Sequence, residues 1–322
     1  MSSPQQPDSQ ASAPFNIPTV GLILRTSDNV AFHVRAGILA ESSPVFYDMF
    51  ALSTQISTDE SHGAKGASDT SPSSPTSSSP AAVPEVPENS NTLDALLRIC
   101  YPISNPTFCD LDVMKPVLAA AHKYQMGFVL ETLGIRLVEL ARDVPLRVYA
   151  IAIRYDMDDV ARTAARQFLR HDWNPAGGHP AELDDISGSA YHRLLAYRRK
   201  CADALASMCT GLGWLPNTGW TFMQCDSCPP GAPAPYCWLR DCEVGRKPAG
   251  WFWQYYQGLA ARLQNTPCED ALDDVLLVTE PVKKARDCST CGTKAFEQML
   301  RFMLKMKEEV GRTVSEITLE IR

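Results

Sequence analysis

The stretch Gly21-Leu-Ile-Leu-Arg-Thr-Ser-Asp-Asn-Val-Ala-Phe-His-Val-Arg35 predicts a β-hairpin. Two short apolar runs, residues 21–25 and 30–34, stand on either side of the polar segment Thr26-Ser-Asp-Asn29. Apolar runs separated by Ser, Asp and Asn are typical of two strands joined by a turn. We therefore expect a small β-sheet near the start of the chain, followed by elements that pack against it.

Two short helices are expected after the hairpin, over Arg35–Ala40 and Pro44–Phe50. Pro44 suits the first turn of a helix, because the N–H that proline lacks would be unpaired there anyway. The segment Ala82-Val-Pro-Glu-Val86 predicts a short edge strand, since its proline forbids a central position. Apolar residues at a period of 3.6 then predict a series of helices. The longest of these are expected at about Ser189–Met208, Pro248–Leu263 and Thr293–Val310, the last with Phe296, Met299, Leu300 and Met303 on one face.

Several segments of the N-terminal half of the chain resemble the BTB/POZ family. Phe32-His-Val-Arg35 and the following Gly37–Phe46 resemble its first conserved stretch, and Tyr47-Asp-Met-Phe50 its next aromatic helix. Asn91–Pro102 and Ala120–Met126 are similar to its later helices. The resemblance is greatest to fungal proteins with a single BTB domain, which also carry a helical C-terminal half with cysteine pairs. It implies an α+β BTB/POZ fold, a small mainly N-terminal sheet with a helical cluster, followed by a mainly α C-terminal region.

The expected domain organisation combines this resemblance with local composition. The segment at about 53–82 is predicted to be a disordered insertion, because its Ser/Pro-rich part, Ser61–Pro80, has almost no apolar residue. Its Ser-Pro pairs are either phosphorylation sites or an unmodified linker. The predicted divisions are a disordered tail at 1–16, a BTB/POZ domain at 17–140 that contains the insertion, a helical extension at 141–210 and a Cys/Trp-rich region with a C-terminal helix at 211–322.

The resemblance implies a protein–protein interaction module. Its partners would be other proteins, such as a cullin-type ubiquitin ligase for which it acts as an adaptor, a second copy of this chain, or the members of a regulatory complex that it scaffolds. Two positions depart from the family: Gly21 stands where an Asp is usual, and Arg35-Ala36 where His-Lys is usual. In members that recruit corepressors, that Asp and Lys form a charged pocket. A BTB scaffold without the usual corepressor groove is therefore expected.

Composition limits the other function classes. The formal charge of −7 argues against binding to nucleic acid, which needs Lys and Arg to neutralise phosphates. No apolar run is long enough for a membrane helix, and residues 1–14 lack the apolar centre of a signal peptide, so an intracellular protein, cytoplasmic or nuclear, is expected. No phosphate-binding loop or catalytic motif is present, and we predict that the chain is not an enzyme. The alternative is a nuclear, zinc-containing transcriptional regulator.

The eleven cysteines include two CxxC pairs, Cys225/Cys228 and Cys288/Cys291. Two such turns can place four thiolates around one tetrahedral Zn²⁺, and Gly292 is expected to supply an unusual φ after the second pair. Two other interpretations stay open: free thiols, and a redox pair at Cys288/Cys291, which precedes a helix. Three further cysteines, Cys237, Cys242 and Cys268, are candidates for substitute or additional ligands, whereas Cys100, Cys201 and Cys209 are predicted to be core residues.

Overall fold

The computed structural model describes residues 9–18, 21–59, 84–171, 178–229 and 234–322, with the side chains of 52–59 left out. These residues form two compact units, Met1–Arg136 and Leu137–Arg322. The first is mixed α+β with a small three-stranded sheet. The second is mainly helical. The predicted class, α+β followed by a mainly α region, is confirmed at this level.

The predicted hairpin is present in the first unit. Strand β2 (Leu22–Arg25) pairs antiparallel with β3 (Val30–Val34), and Leu22 lies opposite Val34. Asn29 in the turn has a φ of 59°, a conformation that Asn tolerates better than most residues. Beyond β2, the N–H of Val86 donates to the carbonyl of Arg25 over 2.8 Å. The expected edge strand at 82–86 is thus reduced to a single bridge at Glu85, with 82–83 outside the described residues.

The prediction of a disordered tail at 1–16 is wrong for residues 9–16, and residues 1–8 lie outside the described residues. Strand β1 (Ser9–Gln10) pairs in parallel with β3, and Phe15 is buried with 1 % of its surface exposed. Phe15 packs edge-on against Tyr101 at 5.2 Å, and the N–H of His33 donates to its carbonyl. Burial of one large ring and these backbone bonds explain why an otherwise polar segment is ordered.

Helices of the first unit follow the hairpin in the predicted order. They are α1 (Ala36–Ser42), α2 (Pro44–Asp59), α3 (Ser90–Cys100), α4 (Leu111–Lys123) and α5 (Gly127–Leu140), the last of which contains the boundary between the units. As predicted, Pro44 is the first residue of α2, and the Ser43 hydroxyl caps it by accepting from the N–H of Phe46 at 3.1 Å. The predicted insertion at 53–82 begins too early, because α2 continues to Asp59. Residues 60–83 of that insertion, including its Ser-Pro pairs, lie outside the described residues.

The second unit joins the two regions that were predicted separately at 141–210 and 211–322. Its helices are α6 (Pro145–Arg154), α7 (Asp158–Phe168), α8 (Gly188–Met208), α9 (Thr221–Gln224), α10 (Gly250–Asn265), α11 (Leu276–Ala285), α12 (Ser289–Gly292) and α13 (Ala295–Ser315), with 3₁₀ turns at Ala181–Asp185 and Glu269–Leu272. Helix α8 belongs to the predicted extension, yet it packs against both α10 and α13. Its apolar face is therefore part of the same core as the Cys/Trp-rich region.

Two details of the helical prediction need correction. Helix α11 was not predicted, because Pro281 stands inside it and polar residues precede it. On α13, Met299 and Met303 are buried as expected, but Phe296 and Leu300 are 59 % and 43 % exposed. The buried face turns instead through Phe302, Met306 and Val310. Among the described residues, no helix combines the length and the apolar character needed to cross a bilayer.

Candidate metal centre

Four cysteines from the two CxxC pairs meet in the second unit. The sulfurs of Cys225, Cys228, Cys288 and Cys291 all lie within 4.8 Å of one another. Each cysteine of the first pair lies close to one cysteine of the second pair. Cys225 Sγ is 3.5 Å from Cys288 Sγ, and Cys228 Sγ is 3.7 Å from Cys291 Sγ. Residues that are 63 positions apart in the sequence are thus brought together by the fold. The structure places all four predicted site residues in one cluster.

The first pair is positioned by the short helix α9 and its contacts with α13. Cys225 directly follows α9, and the buried side chain of Gln298 on α13 accepts from the N–H of Thr221 at 2.9 Å. The same amide donates to the carbonyl of Gly219 at 3.3 Å. Because Gln298 bonds both the N–H and the carbonyl that lead into α9, it sets the direction in which the chain approaches Cys225.

The second pair is positioned by α12. Cys288 is the N-cap of this helix, and its sulfur accepts from the N–H of Cys291 at 3.5 Å. Gly292 does not have the positive φ expected from the sequence. Instead, a Cβ at Gly292 would lie 3.2 Å from the Cα of Arg286, so glycine is needed for close approach of two backbone segments.

The electrostatic environment shifts the pKa of Cys288 in the opposite direction from those of Cys228 and Cys291. The pKa of Cys288 is lowered to about 6, because the N–H of Cys291 and the Cys228 side chain stabilise its thiolate. Burial raises the pKa of Cys228 to about 11. Burial also raises the pKa of Cys291, and the neighbouring sulfurs of Cys225 and Cys228 raise it further. One thiolate is thus favoured in the metal-free cluster, and the accumulation of more negative charge on the other sulfurs requires a cation.

An aromatic cluster lies directly behind the first cysteine pair. Phe222 of α9 stacks on Phe252 of α10 with ring centres 3.7 Å apart and planes 8° from parallel. Phe302 of α13 meets Phe252 edge-on at 5.1 Å. The N–H of Ala249 donates to the carbonyl of Phe222 at 2.8 Å. Apolar burial among α9, α10 and α13 therefore supports the segment that carries Cys225 and Cys228.

The other cysteines lie away from this cluster. The sulfur of Cys237 faces the carbonyl of Pro235 at 3.7 Å, and Cys242 faces that of Val244 at 3.4 Å, so neither is a substitute ligand. Cys268 is buried outside the four-sulfur group. Cys201 and Cys209 are core residues as predicted, and burial raises the pKa of each to about 11. Cys100, predicted with them, is half-buried.

Two residues near the site were not identified from the sequence. In the sequence, Gln298 is an ordinary polar residue on an amphipathic helix. Only its burial in the structure shows that it bonds to the backbone at the start of α9. Trp251 lies within the helix predicted at Pro248–Leu263, and in the structure it lines a cavity of about 330 Å³ together with Cys228 and Cys288. Neither position carries a local pattern that would have found it.

Comparison of the chain with models of protein families, with curated proteins and with solved structures gives no match. We therefore infer the function of the chain from the geometry of each unit and from the resemblance in its sequence.

Proposed function

We propose that this chain is a protein-interaction protein whose N-terminal unit is a BTB/POZ domain and whose C-terminal unit is held together by one structural Zn²⁺. The observation that carries the zinc part is the convergence of Cys225, Cys228, Cys288 and Cys291 within 4.8 Å. The interaction part is supported by the hairpin and by the order of helices that follows it.

The donor set fits zinc in chemistry and in size. Zn²⁺ binds four thiolates in a tetrahedron with Zn–S bonds of about 2.3 Å, which places the sulfurs about 3.8 Å apart. The Cys225–Cys288 and Cys228–Cys291 sulfur–sulfur distances, 3.5 and 3.7 Å, are close to that value. Four protein ligands leave no open position for water or substrate, as in structural rather than catalytic zinc sites. In this role the ion would join the segment after α9 to the segment before α13.

Metal analysis of the purified full-length chain tests the zinc site. We expect one zinc per chain, and loss of that zinc in Cys291→Ser. The matched control is Cys242→Ser, because Cys242 is half-buried in the same unit but outside the cluster. Wild-type protein without zinc that remains folded in chelator would contradict the proposal.

The interaction role has further support on α5. Phe128 and Ile135 are 66 % and 69 % exposed, and their spacing of seven residues places them on one face of the helix. Large exposed apolar side chains that share a face are typical of surfaces that bind other proteins. In the narrower form of the proposal, the partner is a cullin and the chain is its adaptor.

Binding of a purified cullin to the purified chain tests the adaptor role. We expect binding to the wild type and at least a tenfold weaker affinity, about 1.4 kcal/mol, for the Phe128→Glu/Ile135→Glu double variant. Glu131→Gln, on the same helix, is the control and should bind as the wild type does. Proximity labelling in cells that recovers no cullin would remove the adaptor role.

The proposal also includes the absence of catalysis. The pKa of Cys288 is lowered to about 6, so it is the natural nucleophile to examine. In zinc-loaded protein its thiolate would be a metal ligand, and an alkylating probe should modify it no faster than Cys242. Rapid alkylation of Cys288 in zinc-loaded protein would favour an enzyme instead.

A further inference from the structure

The indole of Trp251 has a buried N–H without a matching acceptor. Its Nε1 is inaccessible to solvent and has no hydrogen-bond partner among the described residues. The indole N–H can only donate, and a buried donor without an acceptor destabilises the folded state. This position therefore lacks an interaction that the functional state of the protein should supply.

The Trp251 ring is held beside the cysteine cluster from two directions. Trp251 is the second residue of α10, and the N–H of Gly250 before it donates to the carbonyl of Pro229, directly after Cys228, at 2.9 Å. On its other side the ring meets Phe222 edge-on at 6.3 Å, and Phe222 belongs to the helix that leads into Cys225. Trp251 is thus fixed to the same backbone that presents the first cysteine pair.

The indole lies beside the sulfurs of the cluster, because Trp251 lines the same cavity as Cys228 and Cys288. A neutral thiol is a weak acceptor, but a thiolate accepts a charge-assisted hydrogen bond of about twice the strength. An indole N–H beside these cysteines would therefore find a much better acceptor once their sulfurs are metal ligands.

We propose that Trp251 is a positioning residue of the four-sulfur site, whose indole N–H donates to a cysteine thiolate of that site when it holds its metal. This inference rests on the proposed function. Such a bond stabilises the negative charge on the sulfur and fixes its direction toward the ion. Groups that bond to metal ligands in this way typically change metal affinity by about 10- to 100-fold.

The same helix offers a matched control. Trp253 also has a buried Nε1 without a partner among the described residues, and its ring packs against Tyr256 at 5.7 Å. Trp253 is absent from the cavity that Trp251 shares with Cys228 and Cys288. Replacement of either tryptophan by phenylalanine removes one unpaired N–H and keeps most of the ring, and only one of them faces the cysteines.

The experiment uses the full chain titrated with Co²⁺, whose absorption reports thiolate ligation directly. We expect Trp251→Phe to bind Co²⁺ about 10- to 100-fold more weakly and to shift the sulfur-to-cobalt charge-transfer band, because a ligating thiolate loses a hydrogen-bond donor. Trp253→Phe should match the wild type in both respects. Equal affinity and equal band energy in Trp251→Phe would overturn the inference. Wild-type protein without a thiolate–cobalt band would overturn the proposed function itself.

A second measurement needs no variant to stay folded. In wild-type protein labelled with ¹⁵N-tryptophan, the Trp251 indole proton should move downfield and exchange more slowly with water when Zn²⁺ binds. The Trp253 proton should respond much less. An indole proton of Trp251 that does not respond to Zn²⁺ would also overturn the inference.

Discussion

The hairpin of the first unit and the cysteine cluster of the second differ in the sequence distance that their contacts span. In the hairpin, Leu22 meets Val34 across one turn of four residues. In the cluster, Cys225 meets Cys288 across 63 positions. Local contacts need only turn chemistry and alternation, whereas distant contacts need a packed core that first overcomes the entropy of closing a long loop. We therefore expect the stability of the second unit to depend more strongly on each contact between residues that are far apart in the sequence.

The largest expected effect comes from the aromatic cluster behind the cysteines. Phe252→Ala removes a fully buried ring and should cost about 3–5 kcal/mol. Because Phe252 stacks on Phe222, we also expect weaker zinc binding. Chemical denaturation followed by tryptophan fluorescence measures the first effect, and zinc retained after dialysis measures the second.

The counterpart in the first unit is Phe46→Ala. Phe46 is also fully buried, and it stacks on Tyr124 at 4.5 Å. We expect a similar loss of stability, measured by hydrogen exchange in the first unit, and full zinc content. Equal loss of zinc in the two variants would remove the distinction between the units.

Chelation of zinc should have the next largest effect, confined to the second unit. At free zinc about 1000-fold above its dissociation constant, binding contributes about 4 kcal/mol to the folded state. All six tryptophans belong to residues 137–322, so their fluorescence reports this unit alone. We expect chelator to lower the melting temperature seen by tryptophan fluorescence while hydrogen exchange in β2 and β3 stays unchanged. A melting temperature that chelator does not alter would contradict a structural ion.

A smaller effect is expected at the start of α2. The Ser43 hydroxyl accepts from the N–H of Phe46 and donates to the carbonyl of Tyr124 at 2.5 Å, in a fully buried position. Ser43→Ala should cost about 1–2 kcal/mol, because it removes the cap and leaves a buried carbonyl without its donor. The neighbouring Ser42→Ala is the control, with an expected change within about 0.5 kcal/mol in equilibrium denaturation.

The smallest expected effect is a pH dependence at the hairpin turn. Partial desolvation tends to raise the pKa of Asp28, but hydrogen bonds from Ser90 and Thr26 outweigh it, and the pKa lies below its usual value. The ionised carboxylate accepts from the Ser90 N–H at 2.9 Å, at the first turn of α3. Since the folded pKa is the lower one, this stabilisation is complete above the unfolded pKa near 4 and is lost as the pH falls through the folded value.

Asp28→Asn should therefore lower the stability of the first unit at neutral pH by about 0.3–1 kcal/mol, with exposure keeping it near the lower end. The difference from the wild type should shrink in acid, as measured by denaturation at a series of pH values. Asp48→Asn, an exposed change on α2, is the control. A difference that persists unchanged in acid would assign the effect to something other than the charge.

Prediction from sequence succeeded where the physical cause is local. Three features were predicted from neighbouring residues alone: the turn at 26–29, the two apolar strands on either side of it, and Pro44 at the start of α2. Long periodic helices were also found within a few residues of their bounds, as for α8. Prediction failed where packing overrides local character, as in the buried Phe15 within a polar tail and the proline-containing α11.

For the candidate site, the sequence by itself determined the four candidate ligands. Two CxxC pairs are a local pattern, because three-residue spacing within a turn is what lets two sulfurs face one ion. The tertiary structure alone decided that these pairs meet, that Cys237, Cys242 and Cys268 do not join them, and that Trp251 stands beside them. These outcomes depend on how α9, α10 and α13 pack around Phe222, Phe252 and Phe302. Contacts between residues so far apart in the chain are decided by the shape of the whole core, which no short segment encodes.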